Sequence, residues 1–179
     1  STCQVLEMEI GTATVGPGGN ICVDVTILSG FSNIIGAGWS FSFDETILDF
    51  TGATNFNPNL DGLNGSTINE PAMNPGTLIF AWNSFMGENL PDGAVLYQLC
   101  FDAIGNPGNC SSISFSNDPF QIEVGVDDTP NPTEIGFDGA AGQICIDGAT
   151  IVLDFMQTQV SCPGESDGDF TVNINGGTA

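Results

Sequence analysis

Apolar residues recur along this chain at every second position, and no stretch carries a helical spacing. The clearest run is Ile35 to Phe50, IGAGWSFSFDETILDF, where Trp39, Phe41 and Phe43 alternate with Ser40 and Ser42. Large apolar groups on one face and small hydroxyls on the other predict a β-strand packed on a core by one side. The polar turn Asp44-Glu45-Thr46 ends the alternation, and Ile47, Leu48 and Phe50 resume it.

The same reading extends in both directions. Val5 to Val15 reads as a first strand, with Leu6, Met8 and Ile10 against Glu7 and Glu9. After the GPGGN turn, Ile21, Val23, Val25 and Ile27 alternate with Cys22, Asp24 and Thr26. Thr51 to Gly76 is rich in Asn, Gly and Pro, which predicts a long surface excursion with one short strand near Ser66-Thr67-Ile68. Thr77 to Phe85 follows, with Leu78, Phe80 and Trp82 on one face. In Ala94 to Ile104, Val95, Tyr97, Leu99, Phe101 and Ala103 oppose Leu96, Gln98, Cys100 and Asp102. Ser111 to Ser116 and Gln121 to Val124 are short strands around the Asn117-Asp118-Pro119 corner, Asp127 to Thr133 is a polar loop, and Gly142 to Gly148 closes the series.

About nine short strands punctuated by turn residues predict an all-β protein, a two-sheet β-sandwich over residues 1–148. Residues 149–179 are a second start: Ile151 to Val160 reads as a strand, and Phe170, Val172 and Ile174 alternate in another. Two strands do not enclose a core. This segment is expected to pair with the sandwich, with a continuation of the chain, or with another chain by strand addition, for which Ile151, Leu153 and Phe155 are the expected anchors.

Composition removes most chemistry. The 179 residues contain no Lys, Arg or His against 22 Asp and Glu, a formal charge of −22. No side-chain ion pair can form, so stability must come from apolar burial, β-ladders and disulfides. A hydrophobic content of 41% with 13 Phe supports a packed core and excludes an acidic disordered tail. Nucleic acid is excluded as a partner, because its phosphates are bound by Lys and Arg. No apolar run approaches the ~20 residues of a membrane-spanning helix, so membrane insertion is not expected. There is no Lys for a Schiff base or an isopeptide cross-link, and no imidazole for base catalysis or metal ligation. No enzymatic activity is expected.

The six cysteines, Cys3, Cys22, Cys100, Cys110, Cys145 and Cys162, are even in number and lack metal-site spacing. They predict disulfides and an extracellular or cell-surface setting. Their pairing stays open. Cys22, Cys100 and Cys145 fall on the outward phase of their strands, which predicts bridges between strand edges and loops. Cys110 lies ten residues after Cys100 across a turn and is a candidate partner for it. The chain starts at Ser1 without Met or a signal peptide, which is expected of a processed segment or a piece of a longer chain.

Few side chains suggest a ligand. Trp39 and Trp82 could stack a sugar, but both lie on the apolar phase and are expected in the core. Asp44, Glu45 and Asp49 have the carboxyls a glycosidase pair needs, yet a chain this acidic produces such clusters by chance. Glu165, Asp167 and Asp169 have the i, i+2, i+4 spacing of half a calcium loop, and Asp127-Asp128 is a second candidate for Ca²⁺. Asn64-Gly65-Ser66 and Asn109-Cys110-Ser111 fit the N-glycosylation pattern, with Asn64 in the exposed loop.

The run ICVDVTI, NIIGAGWSFSFDETILDFTGAT, GTLIFAWNS and LPDGAVLYQLCFDAIG, Ile21 to Gly105, resembles a cohesin module. More closely, it is similar to the cohesin-like modules of large secreted Bacteroidetes surface proteins. The tail VSCPGESDGDFTVNINGGT resembles the start of a SprB-type Ig-like repeat, named for the gliding adhesin. The resemblance implies a jelly-roll sandwich over residues 1–148 followed by an incomplete Ig-like repeat over 149–179. True cohesins bind a dockerin on one flat sheet face. Mapped here, that face would join the strands at Trp39 to Phe43, Thr77 to Trp82 and Ala94 to Ile104. Ser40, Ser42, Ile79, Ala81, Gln98 and Asp102 would point outward from it.

The functional expectation is a structural or adhesive module of a secreted bacterial surface protein or fibre, rigid and disulfide-stapled. Its C-terminal strands would join it to neighbouring modules or identical subunits. The alternative is a specific binding module for a dockerin-type partner or a carbohydrate.

Overall fold

A computed structural model describes residues 4–128, 131–148, 152–158 and 169–175. By contacts the chain forms two compact units, Ser1–Asp147 and Gly148–Ala179.

In the first unit the chain runs through β1 (Val5–Ile10), β2 (Thr12–Val15), β3 (Asn20–Ser29), β4 (Ile34–Ser42) and β5 (Leu48–Thr54). A 3-10 turn at Gly65–Thr67 precedes β6 (Ile68–Asn69), β7 (Thr77–Glu88) and β8 (Val95–Ala103). Then come β9 (Cys110–Ser116), β10 (Glu123–Val126), β11 (Thr133–Glu134), β12 (Gly136–Ala140) and β13 (Gly142–Ile146). They make two sheets. One has five strands in the order β12-β1-β3-β8-β5. The other has eight, in the order β11-β10-β4-β9-β13-β2, with β7 also on β4 and β6 on β7.

The period-two pattern sets which residues enter the space between the sheets. Leu6, Met8, Val25, Ile27, Tyr97, Leu99 and Phe101 are buried from the five-stranded sheet, and Trp39, Phe41, Leu78, Phe80, Ile113 and Ile144 from the other. The expected core positions of Trp39 and Trp82 hold, at 0% and 5% exposure. Trp39 pairs in register with Phe80, their rings 4.4 Å apart, and Phe80 meets Tyr97 of the opposite sheet at 5.2 Å. The Trp39 indole N–H and the Tyr97 hydroxyl are buried without a hydrogen-bond partner. Burial pushes the Tyr97 phenol well above its ordinary pKa.

The structure revises the expected strands in three places. Val5 to Val15 is not one strand. It breaks at Gly11, and β1 and β2 lie in different sheets. The return is matched by β12, whose sequence GFDGA carries no apolar alternation, and β13. These run parallel to β1 and β2 and change sheet alongside them. The crossing is tight: a Cβ on Gly142 would lie 2.1 Å from the Gly11 carbonyl oxygen, so only glycine fits there. Second, the 51–76 excursion begins as the rest of β5 and then folds over the core, burying Leu60, Leu63 and Ile68. The Trp82 indole N–H donates to the Asp61 carbonyl at 2.8 Å, so this excursion satisfies a core polar group. Third, β7 runs on past Phe85 to Glu88.

The expected disulfides form, but not where the alternation placed them. Cys22 pairs with Cys100 and Cys110 with Cys145. Each bridge joins directly opposed residues of neighbouring strands, β3 with β8 and β9 with β13, not a strand edge with a loop. The candidate Cys100–Cys110 pair does not form. β8 and β9 belong to different sheets, so a turn that looks like a hairpin in sequence carries the chain across the sandwich. Cys3 and Cys162 lie outside the described residues.

In the second unit, β14 (Val152–Thr158) and β15 (Asp169–Asn175) form a two-stranded antiparallel sheet with seven paired positions, among them Leu153 with Ile174 and Phe155 with Val172. Ile151 lies outside the described residues.

Candidate functional site

Outward positions of the two sheets differ in chemistry. On the five-stranded sheet they carry Glu7, Glu9, Asp24, Asp49, Asp102 and Asp138. Neutral donors hold three of these: the Ser29 hydroxyl donates to Glu7 at 3.0 Å, the Gln98 amide to Asp24 at 2.7 Å and the Asn20 amide to Asp102 at 2.8 Å. Asp49 lies directly opposite Asp102 in register, a like-charge pair.

On the eight-stranded sheet, Gly36, Gly38, Ser40 and Ser42 of β4 pair with Asn83, Ala81, Ile79 and Thr77 of β7. All are uncharged. On the other flank, Glu123 of β10 pairs with Gly38, and Gly125 with Gly36. Small residues here leave a groove of about 590 Å³. Gly36, Gly38, Ala81 and Gly125 line it, with Phe120, Glu123 and Glu134 at its sides. Phe120 is laid across β4 by a reciprocal pair of bonds. The Ser40 hydroxyl donates to the Phe120 carbonyl at 3.0 Å, and the Phe120 N–H donates back to the same hydroxyl at 2.9 Å. A Cβ on Gly38 would lie 2.6 Å from the Phe120 ring, so the glycine makes room for it.

At the far end of β7 the register slips. Asn83 pairs with Gly36 and Glu88 with Ile34, so Ser84 to Gly87 bulge out opposite Ile35 alone. Phe85 is 102% exposed and Met86 72%. The sequence carried a signal for this: Leu78, Phe80 and Trp82 keep the inward phase, and Phe85 breaks it.

The sheet face implied by the cohesin resemblance is therefore corrected. The strands at Trp39 to Phe43 and Thr77 to Trp82 do share a sheet, but Ala94 to Ile104 does not join them. It forms β8 of the five-stranded sheet, where Gln98 and Asp102 belong to the acidic side. Ser40 is not open either, being fully buried beneath the Phe120 segment. Ser42 and Ala81 are exposed and Ile79 is half-buried.

The remaining candidates are dispersed. Asp44 accepts from the Thr46 hydroxyl at 2.6 Å and the Thr46 N–H at 2.9 Å, bonds that close the turn and hold its carboxyl below the ordinary value. Glu45 and Asp49 line a depression of about 450 Å³ with Glu70. Asp127 is tied to Asn33, its N–H donating to the Asn33 carbonyl at 2.9 Å, and Asp128 to Val126 and Asn131 by backbone bonds. Among the described residues no three of Cys, Asp and Glu converge to hold a metal. Glu165 and Asp167 lie outside the described residues, and Asp169 opens β15. Asn64 is exposed, but its carboxamide is engaged: the oxygen accepts from Ser66 N–H at 2.9 Å and the amide donates to the Gly62 carbonyl at 2.8 Å.

No helix among the described residues is long and apolar enough to cross a membrane. No protein-family model matches the chain, and no curated protein matches it. Solved structures do. The seventh ScaB type I cohesin of Pseudobacteroides cellulosolvens matches with a TM-score of 0.65 at 14% identity, over 81% of this chain and 94% of that one. The sixth cohesin of Acetivibrio cellulolyticus scaffoldin B, solved in complex with a Cel5 dockerin, matches at 0.62 and 18%, over 79% and 99%. A non-cellulosomal cohesin of the archaeon Archaeoglobus fulgidus matches at 0.58 and 12%, over 79% and 90%. At these identities the likeness speaks for architecture, and the architecture of this chain is a cohesin-like jelly-roll sandwich.

Proposed function

We propose that the chain is a protein-interaction module of a secreted, surface-exposed structural protein, and that it docks a partner module on the outer face of β10-β4-β7-β6. The observation that carries this reading is the contrast between the faces. One is lined with carboxylates. The other is uncharged along the paired span of β4 and β7 from Gly36 to Ser42, built of small residues and grooved, with Glu123 and Glu134 confined to the sides of the groove. The two cross-strand disulfides favour an oxidising, extracellular setting. Dockerin complexes of solved cohesins support a protein partner over a carbohydrate, and burial of Trp39 and Trp82 leaves no stacking platform at those positions.

The test compares the full chain with Ser42→Arg/Ala81→Arg on the proposed face and Glu9→Arg/Asp138→Arg on the acidic face. Each is used to recover partners from the extracellular fraction of the source. A partner lost only with the first variant is expected. Equal recovery by both variants overturns the assignment of the face, and recovery of nothing overturns docking itself.

The hairpin of β14 and β15 supports a second role, joining the module to its neighbours. Two strands with seven paired positions make a sheet too small to be stable alone, and strand addition would extend it. Ile151, Leu153 and Phe155 are the anchors in this reading. Replacing all three by Ser should abolish assembly, and unchanged assembly would discard it.

A further inference from the structure

We propose that the groove and the Ser84–Gly87 bulge beside it form one docking surface for a basic polypeptide segment bearing an aromatic or aliphatic side chain. This rests on the reading of the outer face as an interaction surface and adds the chemistry of its partner.

The bulge presents its apolar side chains from a braced backbone. The Ser84 hydroxyl donates to Glu88 at 3.2 Å and the Met86 N–H donates to the Ser84 hydroxyl at 3.4 Å. Gly87 packs against Asn33 so closely that a Cβ would lie 1.8 Å from the Asn33 side-chain oxygen. Asn33 is itself held in the left-handed region, φ 57°, by its N–H donating to Asn89 at 3.0 Å and its amide donating to the Asp127 carbonyl. The backbone that carries Phe85 and Met86 is thus braced before any partner arrives, which lowers the entropy cost of binding. Among the described residues of the sandwich the two exposed phenylalanines are Phe85, at 102%, and Phe120, at 38%. Phe120 walls the groove, and the bulge leaves β7 just beyond Asn83, which also lines it. Exposed aromatic groups beside a pocket with a bare floor are the composition of an interface core.

Charge selects the occupant. Glu123 and Glu134 line the groove, and Glu88 stands at the base of the bulge. The chain has no Lys, Arg or His to answer them. A second copy would bring another −22 charges to the contact and no cation. A segment carrying Lys or Arg on either side of an apolar residue fits both features: the apolar group enters the groove against Phe120, the neighbouring part of the segment covers Phe85 and Met86, and the cations meet the three carboxylates.

The experiment uses the full chain and a fluorescein-labelled synthetic peptide, Gly-Lys-Leu-Lys-Phe-Lys-Leu-Lys-Gly, followed by fluorescence anisotropy at physiological salt. Three exposed-residue variants are compared: Phe85→Ser/Met86→Ser, Glu123→Gln/Glu134→Gln, and Glu7→Gln/Glu9→Gln on the opposite face. The last removes the same charge as the second. The first two should weaken binding about tenfold each, the effect of losing ~1.4 kcal/mol of contact, and the third less than about twofold. Equal losses from the second and third would mean diffuse attraction to an acidic protein and would overturn the proposal. So would binding indifferent to Phe85 and Met86. Absence of peptide binding, alongside a partner sensitive to Ser42→Arg/Ala81→Arg, would remove the basic-segment inference and leave the interaction face standing.

Discussion

The two outer faces of this sandwich arise from the same alternation and end as opposite surfaces. On the five-stranded sheet the outward positions hold six carboxylates, hydrated or eased by neutral donors such as Asn20 and Gln98. On β4 and β7 of the eight-stranded sheet the corresponding positions are Gly, Ser, Thr, Ala, Asn and Ile, Glu123 stands on the flanking β10, and Phe120 lies directly on the strand. The inward code is the same for both, large apolar groups between the sheets. What differs is whether the outward code keeps water or releases it. A carboxylate face repels its own kind and stays solvated. A face of small uncharged residues costs little to desolvate and offers backbone and grooves to a partner.

The largest expected effect comes from the staples, one on each face. The bridges close separations of 78 and 35 residues. Loop-closure entropy then assigns roughly 4–5 kcal/mol to Cys22–Cys100 and roughly 4 kcal/mol to Cys110–Cys145. Urea denaturation of Cys22→Ser/Cys100→Ser and Cys110→Ser/Cys145→Ser should show both losses, the first larger. If the second cost more, the uncharged sheet would be the one that depends on its staple.

Next is the core between the faces. Tyr97→Phe removes a buried hydroxyl that has no partner and should stabilise the fold or leave it unchanged, within about 1 kcal/mol. Because burial raises the Tyr97 pKa in the folded state, only the unfolded chain ionises this phenol as pH climbs past its ordinary range near 10. Wild-type stability should therefore be intact below that pH and fall above it. The Phe variant should lose less, as read by thermal unfolding between pH 8 and ~11.

A similar magnitude is expected at Gly38→Ala. The new methyl displaces the Phe120 ring, and because that ring is partly exposed it can swing aside, so the cost should stay near 1 kcal/mol. Altered chemical shifts at Phe120 with little change in Tm would check it. The smallest effect is on the acidic face. Asp49→Asn relieves the pair with Asp102 and should stabilise by about 0.5 kcal/mol at low salt. The gain should vanish in ~1 M NaCl, where the Debye length falls to ~3 Å.

Much of the sandwich was legible from local pattern. Trp39, Phe41, Val25, Tyr97 and Phe101 were placed in the core by phase alone, because a strand's facing depends only on its own alternation. β12 was not legible: GFDGA has no apolar alternation, and it pairs with β1 through its backbone. The candidate site was mostly hidden. Gly36, Gly38 and Gly125 have no side chain to signal a role, and Phe120 acquires one only when Ser40 pins it over β4. Phe85 alone left a trace, as an aromatic out of phase with Trp82.

The sequence by itself determined the class of fold, the inward residues of the long strands, the absence of any cation and the presence of paired cysteines. These are properties of composition and of neighbours two residues apart. Only the tertiary structure decided that Cys22 meets Cys100 and not Cys110, that Ala94 to Ile104 lies in the acidic sheet, and that a groove opens beside Phe120. Each of these depends on register between segments tens of residues apart. That register is set by the packing of the whole sandwich, which no local pattern encodes.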